Sequence, residues 1–175
     1  ASVRAGNVIG GGDWSEDRLI PDLVRSLNAG ERLLIRAPSA TRPWQHVLDC
    51  LSGYLLLGQK LLAREADCAC AWNFGPGPEG NRRVDEVLQM MRVHWPELDW
   101  KINRDPQPHE AGLLALDHAQ AKERLGWRPV WDLEQTVAIT AEWYRNYYAD
   151  AVVGSEAQLS RYVEDTRMAT ETWVD

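Results

Sequence analysis

The sequence predicts an α/β fold whose parallel sheet is incomplete within this chain. Two buried, strand-like stretches each carry one asparagine, Asn7 or Asn73, and each is followed by glycines. Stretches with helical periodicity alternate with them. Parallel strands need neighbours and helices on both faces. Because the first strand begins at residue 2 with nothing before it, we expect the 175 residues to form the back part of a larger domain.

The first half of the chain alternates between strands and helices. Apolar residues at helical spacing over residues 19–27, with Pro21 in the first turn and Gly30 after the end, predict the first helix. The predicted elements, in order, are a strand over 2–9, a helix over 19–27, a short strand within 32–38, an extended piece within 41–49 and a helix with Leu48, Leu51, Leu55 and Leu62 on one face.

The second half repeats this alternation. Asp117 with Gln120 forms a capping-box start for a helix that ends at Gly126, and Asp132 caps the last long helix. The predicted elements are a buried strand and Gly/Pro loop over 70–80, a helix over 84–91, a weak strand over 99–102, the helix from 117, and the helix from 132 to about 148. Residues 151–175 are acidic and weakly amphipathic, so we expect a loose helix or a mobile tail there.

The charge distribution limits the possible partners. The formal net charge is -7, yet residues 1–49 hold six basic and six acidic residues. An acidic chain without a basic run argues against nucleic acid or an anionic membrane as partner. No apolar run approaches the ~18 residues of a membrane span. A small anionic ligand, held by a few arginines in the neutral first third, fits the distribution.

The cysteines do not form a metal-binding pattern. Cys50, Cys68 and Cys70 are an odd and sparse set, and Cys68 and Cys70 have no second pair of ligands. We therefore expect free thiols in a reducing cytoplasm and no metal site.

The glycine-rich loop at residues 10–12 suggests a phosphate-binding turn, but it lacks the G-x-G-x-x-G spacing of a dinucleotide loop. Asp13, Glu16 and Asp17 follow at once, and carboxylates suit a pyrophosphate poorly. The loop taken alone therefore does not indicate a cofactor site.

Several motifs in a fixed order resemble the carboxyl-terminal half of an extended short-chain dehydrogenase/reductase, a family that contains nucleotide-sugar epimerases and dehydratases. The motifs are GNVIGGGDW, LIPDLV, RPWQHVLD, AWNFGPG, PHEAGLLALD and LGWRPVWDLEQTVAITAEWY. GNVIGGGDW and RPWQHVLD are most similar to members that act on CDP-glucose. Members that act on dTDP- or UDP-sugars more often have N-x-Y-G-P and R-D-[WF]-x-Y-V-x-D there.

The resemblance implies the carboxyl-terminal part of a Rossmann-like fold, with an incomplete parallel sheet and a small α/β subdomain that binds substrate within residues 1–150. Asn7 matches the asparagine that hydrogen-bonds the nucleotide sugar, with glycines that turn tightly over the ligand. Arg42 matches the arginine that clamps the diphosphate. Asn73 is expected to line the same crevice. A loop asparagine, a solvated arginine and a loop cap are the structural alternatives for these three residues.

His109 and Glu110 belong to the loop that approaches the sugar nucleotide in relatives. Leu113 and Ala115 stand where tyrosine and lysine are common in members that act on CDP-sugars. This departure puts ligand contacts from residues 112–115 in doubt.

The family's catalytic groups do not occur in this sequence. Tyr54 is followed four residues on by Gly58, and Tyr144 by Tyr148, so neither forms the Tyr-x-x-x-Lys pair. The pair and the dinucleotide loop lie upstream in the family. We therefore assign no catalytic residue here and expect NAD to bind mainly to an amino-terminal half, whose helices also form the family's homo-oligomers.

The resemblance leaves several functions open. The first is the sugar-nucleotide half of an NAD-dependent dehydratase that converts CDP-glucose to a 4-keto-6-deoxy sugar. The others are a dehydratase or epimerase for dTDP-glucose, GDP-mannose or a UDP-sugar, and a catalytically inactive binding or structural fragment.

Overall fold

The computed structural model describes residues 1–103 and 112–169. Within these ranges the chain forms strands and α-helices in the alternation expected of an α/β protein. The strands are β1 (Ser2–Ala5), β2 (Asn7–Ile9), β3 (Leu33–Ile35), β4 (Thr41–His46), β5 (Ala71–Phe74), β6 (Asn81–Arg83) and β7 (Trp100–Ile102). The α-helices are α1 (Leu19–Asn28), α2 (Val47–Leu62), α3 (Val84–His94), α4 (Ala119–Leu125), α5 (Leu133–Asp150) and α6 (Ser155–Ala169).

The predicted parallel strand pairing is confirmed, although it is divided among small sheets. β1 pairs with β5, β2 with β4 and β3 with β7, all in parallel, and β6 adds an antiparallel edge to β4. The predicted first strand over residues 2–9 is two strands, because the chain changes partner at Gly6. A Cβ on Gly6 would lie 2.2 Å from the carbonyl oxygen of Pro43, so only glycine allows these backbones to meet.

The main hydrophobic core lies between the paired strands β2 and β4 on one side and helices α1, α3 and α5 on the other. Its fully buried members include Leu23, Val24, Leu88, Met91, Val137 and Tyr144. A second cluster joins α2, β5 and α4 around Trp72, Phe74 and Trp127. The candidate site lies beside the amino-terminal parts of β2 and β4, which carry Asn7 and Arg42.

Helix α2 presents one leucine face outward, contrary to what an apolar helical face usually indicates. Leu51, Leu55 and Leu62 share a face, as the spacing predicts, but they are 44%, 74% and 87% exposed. The face toward the sheet is small and polar and carries Asp49, Cys50, Ser52, Gly53 and Leu57. Gly53 explains this orientation, because a Cβ there would lie 2.3 Å from the Phe74 ring.

The carboxyl-terminal stretch contains helix α6, which packs back onto the domain. Tyr162 and Thr166 are buried, and the Trp131 indole nitrogen donates to Asp165 Oδ2 at 2.7 Å. The Trp143 indole nitrogen donates to Ser155 Oγ at 3.0 Å. The division of the chain into a binding part over 1–150 and a separate tail stays a prediction.

No helix within residues 1–103 and 112–169 is long and apolar enough to cross a membrane.

Candidate functional site

Asn7 and Arg42 line one cleft of about 200 Å³. Their predicted contacts with a ligand stay a prediction. The parallel pairing of β2 with β4 sets Asn7 opposite Trp44, and Arg42 stands two residues before Trp44 in the same strand. Residues two apart in a strand project to the same face of a sheet, so Arg42 and Trp44 share one wall. Residues of β3 and of the start of α1 also line the cleft.

Asn7 also lines a second, smaller cleft of about 110 Å³. The two clefts share Asn7, Asp17, Leu19 and Trp44, so they meet at Asn7. The second cleft continues toward Gly10 and Asp13 of the glycine loop. An extended ligand could therefore pass Asn7 and occupy both.

The charges around the larger cleft favour an anion. Arg36 and Arg42 line it, together with Asp17 and Asp22. Asp22 is neutralised by an ion pair with Arg25, whose Nη1 also donates to the carbonyl of Trp14 at 2.7 Å. Among the described lining residues, Arg36 and Arg42 thus contribute two guanidinium groups, and Asp17 is the carboxylate without such a close ion pair.

Arg36 is a cleft residue that the sequence analysis did not identify. It directly follows β3 and lines the cleft with Asn7 and Arg42. The available signal was its position, a cation at the carboxyl end of a predicted strand within the neutral first third. Ligands of α/β proteins gather beyond such strand ends.

Asn73 is not one of the residues that line this cleft. It lies on β5, opposite Arg4 of β1, and its side-chain nitrogen donates to the carbonyl of Asp117 at 2.9 Å. This hydrogen bond ties β5 to the start of α4, which is the structural alternative considered for Asn73. Its contact with a ligand stays a prediction.

His109 and Glu110 lie outside the described residues, so their predicted approach to the ligand also stays a prediction. The chain is described again from Gly112 on. The Thr41 amide donates to the Gly112 carbonyl at 2.8 Å, and the Leu114 amide donates to the Thr41 carbonyl at 3.1 Å. Residues 112–114 therefore run beside β4, one residue away from Arg42.

The glycine loop packs against α5, and the expectation that its glycines turn over the ligand stays a prediction. A Cβ on Gly11 would lie 2.0 Å from Cγ of Trp143, so the indole of α5 occupies that side of the loop. Gly12 has φ of +80°, a left-handed conformation that favours glycine. Gly10 does line the smaller cleft, beside Asn7.

Two titratable groups are buried near the carboxyl end of β4, and neither lines the cleft. Burial lowers the pKa of His46 to about 4 and raises the pKa of Asp49 to about 6. Asp49 Oδ1 accepts hydrogen bonds from the Val130 amide at 2.7 Å and the Tyr162 hydroxyl at 2.8 Å. These contacts give Asp49 a structural role.

The described residues contain no group of three His, Cys, Asp or Glu side chains that could hold a metal ion. Cys50, Cys68 and Cys70 are free thiols.

Sequence comparison relates the chain to nucleotide-sugar dehydratases. It is 41% identical over 169 residues to the CDP-glucose 4,6-dehydratase of Salmonella typhimurium, which covers 95% of this chain and 47% of that protein. It is 26% identical over 139 residues to a dTDP-glucose 4,6-dehydratase of Xanthomonas campestris, which covers 73% of this chain and 38% of that protein. The chain thus spans about half the length of these relatives or less. No protein-family model matches it.

Solved structures share the fold at lower identity. A UDP-glucuronic acid 4-epimerase from Bacillus cereus superimposes with a TM-score of 0.68 and 17% identity, over 83% of this chain and 45% of that one. A dTDP-glucose 4,6-dehydratase from Bacillus anthracis gives a TM-score of 0.64 and 19% identity, over 82% and 44%. At these identities the likeness establishes the fold, and it confirms the predicted Rossmann-like architecture.

Proposed function

Since the chain is homologous to the nucleotide-sugar 4,6-dehydratases of the extended short-chain dehydrogenase/reductase family, we propose that it provides the substrate-binding part of a CDP-glucose 4,6-dehydratase. The net reaction of such an enzyme is the loss of one water from CDP-glucose to give CDP-4-keto-6-deoxyglucose. The observation that carries the proposal is the convergence of Asn7 and Arg42 on one cleft, in a chain 41% identical to a CDP-glucose 4,6-dehydratase.

Arg42 binds the diphosphate of the nucleotide sugar in this proposal. A planar guanidinium can donate two parallel hydrogen bonds to paired phosphate oxygens, which an ammonium group cannot do. The neighbouring wall supports this position, because the Trp44 indole nitrogen donates to the Arg82 carbonyl at 3.0 Å and so fixes β4 against β6.

Asn7 is suited to orient the ligand where the two clefts meet. Its amide offers both donors and acceptors, so it can recognise a sugar hydroxyl or a phosphate oxygen. The larger cleft is smaller than the roughly 300–1,000 Å³ typical of pockets for whole drug-sized ligands. It would therefore hold the diphosphate with one flanking group, while the rest of the ligand extends past Asn7.

The family implies NAD as cofactor, and the glycine loop of this chain does not fit it. The Trp143 indole covers Gly11, and Asp13 follows the loop, so a pyrophosphate would meet an aromatic ring and a carboxylate. We place NAD binding in the part of the longer relatives that this chain does not match. We place the Tyr-x-x-x-Lys pair in that part as well. The 175-residue chain alone is therefore proposed to be inactive.

Calorimetric titration of the 175-residue chain with CDP-glucose tests the proposal. Arg42→Ala should weaken binding by about ten- to hundredfold, because it removes charge-assisted hydrogen bonds worth roughly 1.5–3 kcal/mol. Arg42→Lys should recover only part of the loss. Arg32→Ala is the matched control, since Arg32 pairs with Asp99 at 2.6 Å and does not line the cleft. Equal affinity of wild type and Arg42→Ala would remove Arg42 from the site.

A second candidate is a site for another nucleotide sugar, which the 26% identity to a dTDP-glucose 4,6-dehydratase supports. Competition of CDP-glucose with dTDP-glucose, UDP-glucose and GDP-mannose would rank the four. If dTDP-glucose, UDP-glucose or GDP-mannose binds more tightly than CDP-glucose, that nucleotide sugar becomes the proposed substrate.

The reading frame upstream of Ala1 distinguishes a part of a dehydratase from an inactive binding fragment. A dinucleotide glycine loop and a Tyr-x-x-x-Lys pair encoded there would support the dehydratase. A start codon close to Ala1 without either motif would favour the fragment. The predicted inactivity of the 175-residue chain is tested by incubating it with CDP-glucose and NAD and measuring the absorbance of the 4-keto product in alkali. A rate of product formation that rises with the amount of purified chain would contradict the prediction.

A further inference from the structure

Arg36 is the second arginine of the cleft, and its present ion pair is weak. Its Nη2 lies 3.9 Å from Asp17 Oδ1, and the two side chains are 53% and 89% exposed. Exposed pairs at this distance contribute little, because water screens them and both side chains lose freedom. Arg36 can therefore exchange Asp17 for another anion at small cost.

Asp17 is held where it competes with an anionic ligand. It has φ of +58°, in the left-handed region, within the turn that precedes α1. It lines both clefts together with Asn7, and it pairs with Arg36. The other acid of the larger cleft, Asp22, pairs with Arg25, so Asp17 is the carboxylate that faces Arg36.

We propose that Arg36 is a second phosphate-binding arginine of the nucleotide-sugar site, and that Asp17 is its counter-ion until the ligand's diphosphate displaces it. This inference rests on the proposed function, since it assumes that the cleft binds a nucleotide diphosphate. Arg42 belongs to β4 and Arg36 follows β3, so the two cations come from different elements of the cleft lining. Asp17 lowers the affinity, because the ligand must replace an existing ion pair.

The inference predicts opposite effects for the two partners. Arg36→Ala should weaken CDP-glucose binding about tenfold or more, because a hydrogen-bonded ion pair to phosphate is lost. Asp17→Asn should tighten binding about two- to fivefold, which corresponds to the removal of one exposed ion pair. Asparagine tolerates the left-handed conformation, so this variant keeps the turn. In the double variant the gain from Asp17→Asn should disappear, because its partner is absent.

Calorimetry with CDP-glucose and with cytidine, each on the four proteins, tests the assignment. Cytidine lacks phosphate, so its binding should not change in Arg36→Ala. Arg32→Ala serves as the control for general loss of positive charge, because Arg32 is exposed and pairs with Asp99. An unchanged CDP-glucose affinity in Arg36→Ala would overturn the inference, as would an equal loss for cytidine, which would place Arg36 on the nucleoside.

The two proposals fail in different ways. If the wild-type chain binds neither CDP-glucose nor cytidine, the proposed function fails and the inference falls with it. If the wild type binds CDP-glucose and Arg42→Ala weakens binding while Arg36→Ala does not, only the inference fails.

Discussion

The hydroxyl of Tyr162 donates a hydrogen bond to Asp49 Oδ1 at 2.8 Å, and both residues are buried. The same hydroxyl lies 3.1 Å from Ser52 Oγ, which accepts from the Trp127 indole nitrogen at 3.0 Å. Helix α6 is therefore joined to α2 through a carboxylate that also accepts from the Val130 amide. The network is enclosed, so each of its members depends on the others for a partner.

Tyr162→Phe should lower the free energy of unfolding by about 1–3 kcal/mol, because it leaves a buried carboxylate with one hydrogen bond fewer. The loss should be local to α6, where amide hydrogen exchange should accelerate most. Tyr147→Phe is the matched control, since the described residues give its hydroxyl no hydrogen bond. Equal stability of Tyr162→Phe and wild type, measured by denaturant unfolding, would show that the ring alone holds α6.

Asp49 and His46 give opposite dependences of stability on pH. Burial raises the pKa of Asp49 from 3.8 to about 6, so its contribution is full below pH 3.8 and is lost as pH rises through 6. Burial lowers the pKa of His46 from 6.5 to about 4, so its contribution is full above pH 6.5 and is lost as pH falls through 4. Each effect is on the order of 3 kcal/mol, and between about pH 4 and 6 they oppose each other.

The contributions of Asp49 and His46 should therefore leave the free energy of unfolding of the wild-type chain nearly flat between about pH 4 and 6.5. Replacing one of the two residues should show the pH dependence that the other contributes. Asp49→Asn should lose stability on acidification, because the loss that comes from His46 is then no longer offset by Asp49. His46→Asn should gain stability on acidification, and asparagine can still accept the Leu48 amide that caps α2. Denaturant unfolding at several pH values measures both. Slopes that match the wild type in both variants would contradict the prediction, and the double variant should be flat.

Gly11→Ala should destabilise the fold, by about 1–3 kcal/mol, because its Cβ would overlap the Trp143 ring and the loop or the indole would have to move.

Gly58 is a glycine whose replacement by alanine should stabilise the fold. It lies in α2 with no atom within 4 Å of a built Cβ, so Gly58→Ala should stabilise by roughly 0.5–1 kcal/mol through helix propensity. Thermal unfolding of both variants measures the contrast. A neutral Gly11→Ala would show that Trp143 has room to move.

The sequence predicted the order of elements well where periodicity and end signals agree. Helix α1 follows the predicted face from Leu19, and α5 begins after Asp132, whose carboxylate accepts from the Gln135 amide at 2.8 Å. The break at Gly6 was not predictable, because it depends on the approach of Pro43, which is distant in sequence. The orientation of α2 was missed for the same reason, since the contact of Gly53 with Phe74 decides it.

The candidate site was predicted in part. Asn7 and Arg42 lie near each other because β2 pairs in parallel with β4, in a register that sets Asn7 opposite Trp44, two residues from Arg42. Arg36 was missed because its role depends on which side of β3 faces the cleft. The hydrogen bond between Tyr162 and Asp49 joins residues that are 113 positions apart, and a local sequence pattern does not predict such a pair.

The exposed leucines of α2 make self-association a prediction for the isolated chain. Leu51, Leu55 and Leu159 border an apolar groove of about 510 Å³ between α2 and α6. Soluble monomers rarely expose large contiguous apolar patches. In addition, β1 pairs with β5 alone among the described strands, so its other edge has no strand partner there.

Replacing Leu55 and Leu62 together by glutamine should shift the 175-residue chain toward monomer without reducing its stability, because both side chains are mostly exposed. Sedimentation at several protein concentrations measures the shift. Val93→Gln is the control, since Val93 is 76% exposed on α3, away from α2. A wild-type chain that sediments as a compact monomer at every concentration and unfolds cooperatively would contradict the prediction. That result would mean that the leucine face and the β1 edge are tolerated in water, so the fold would need no further chain to cover them.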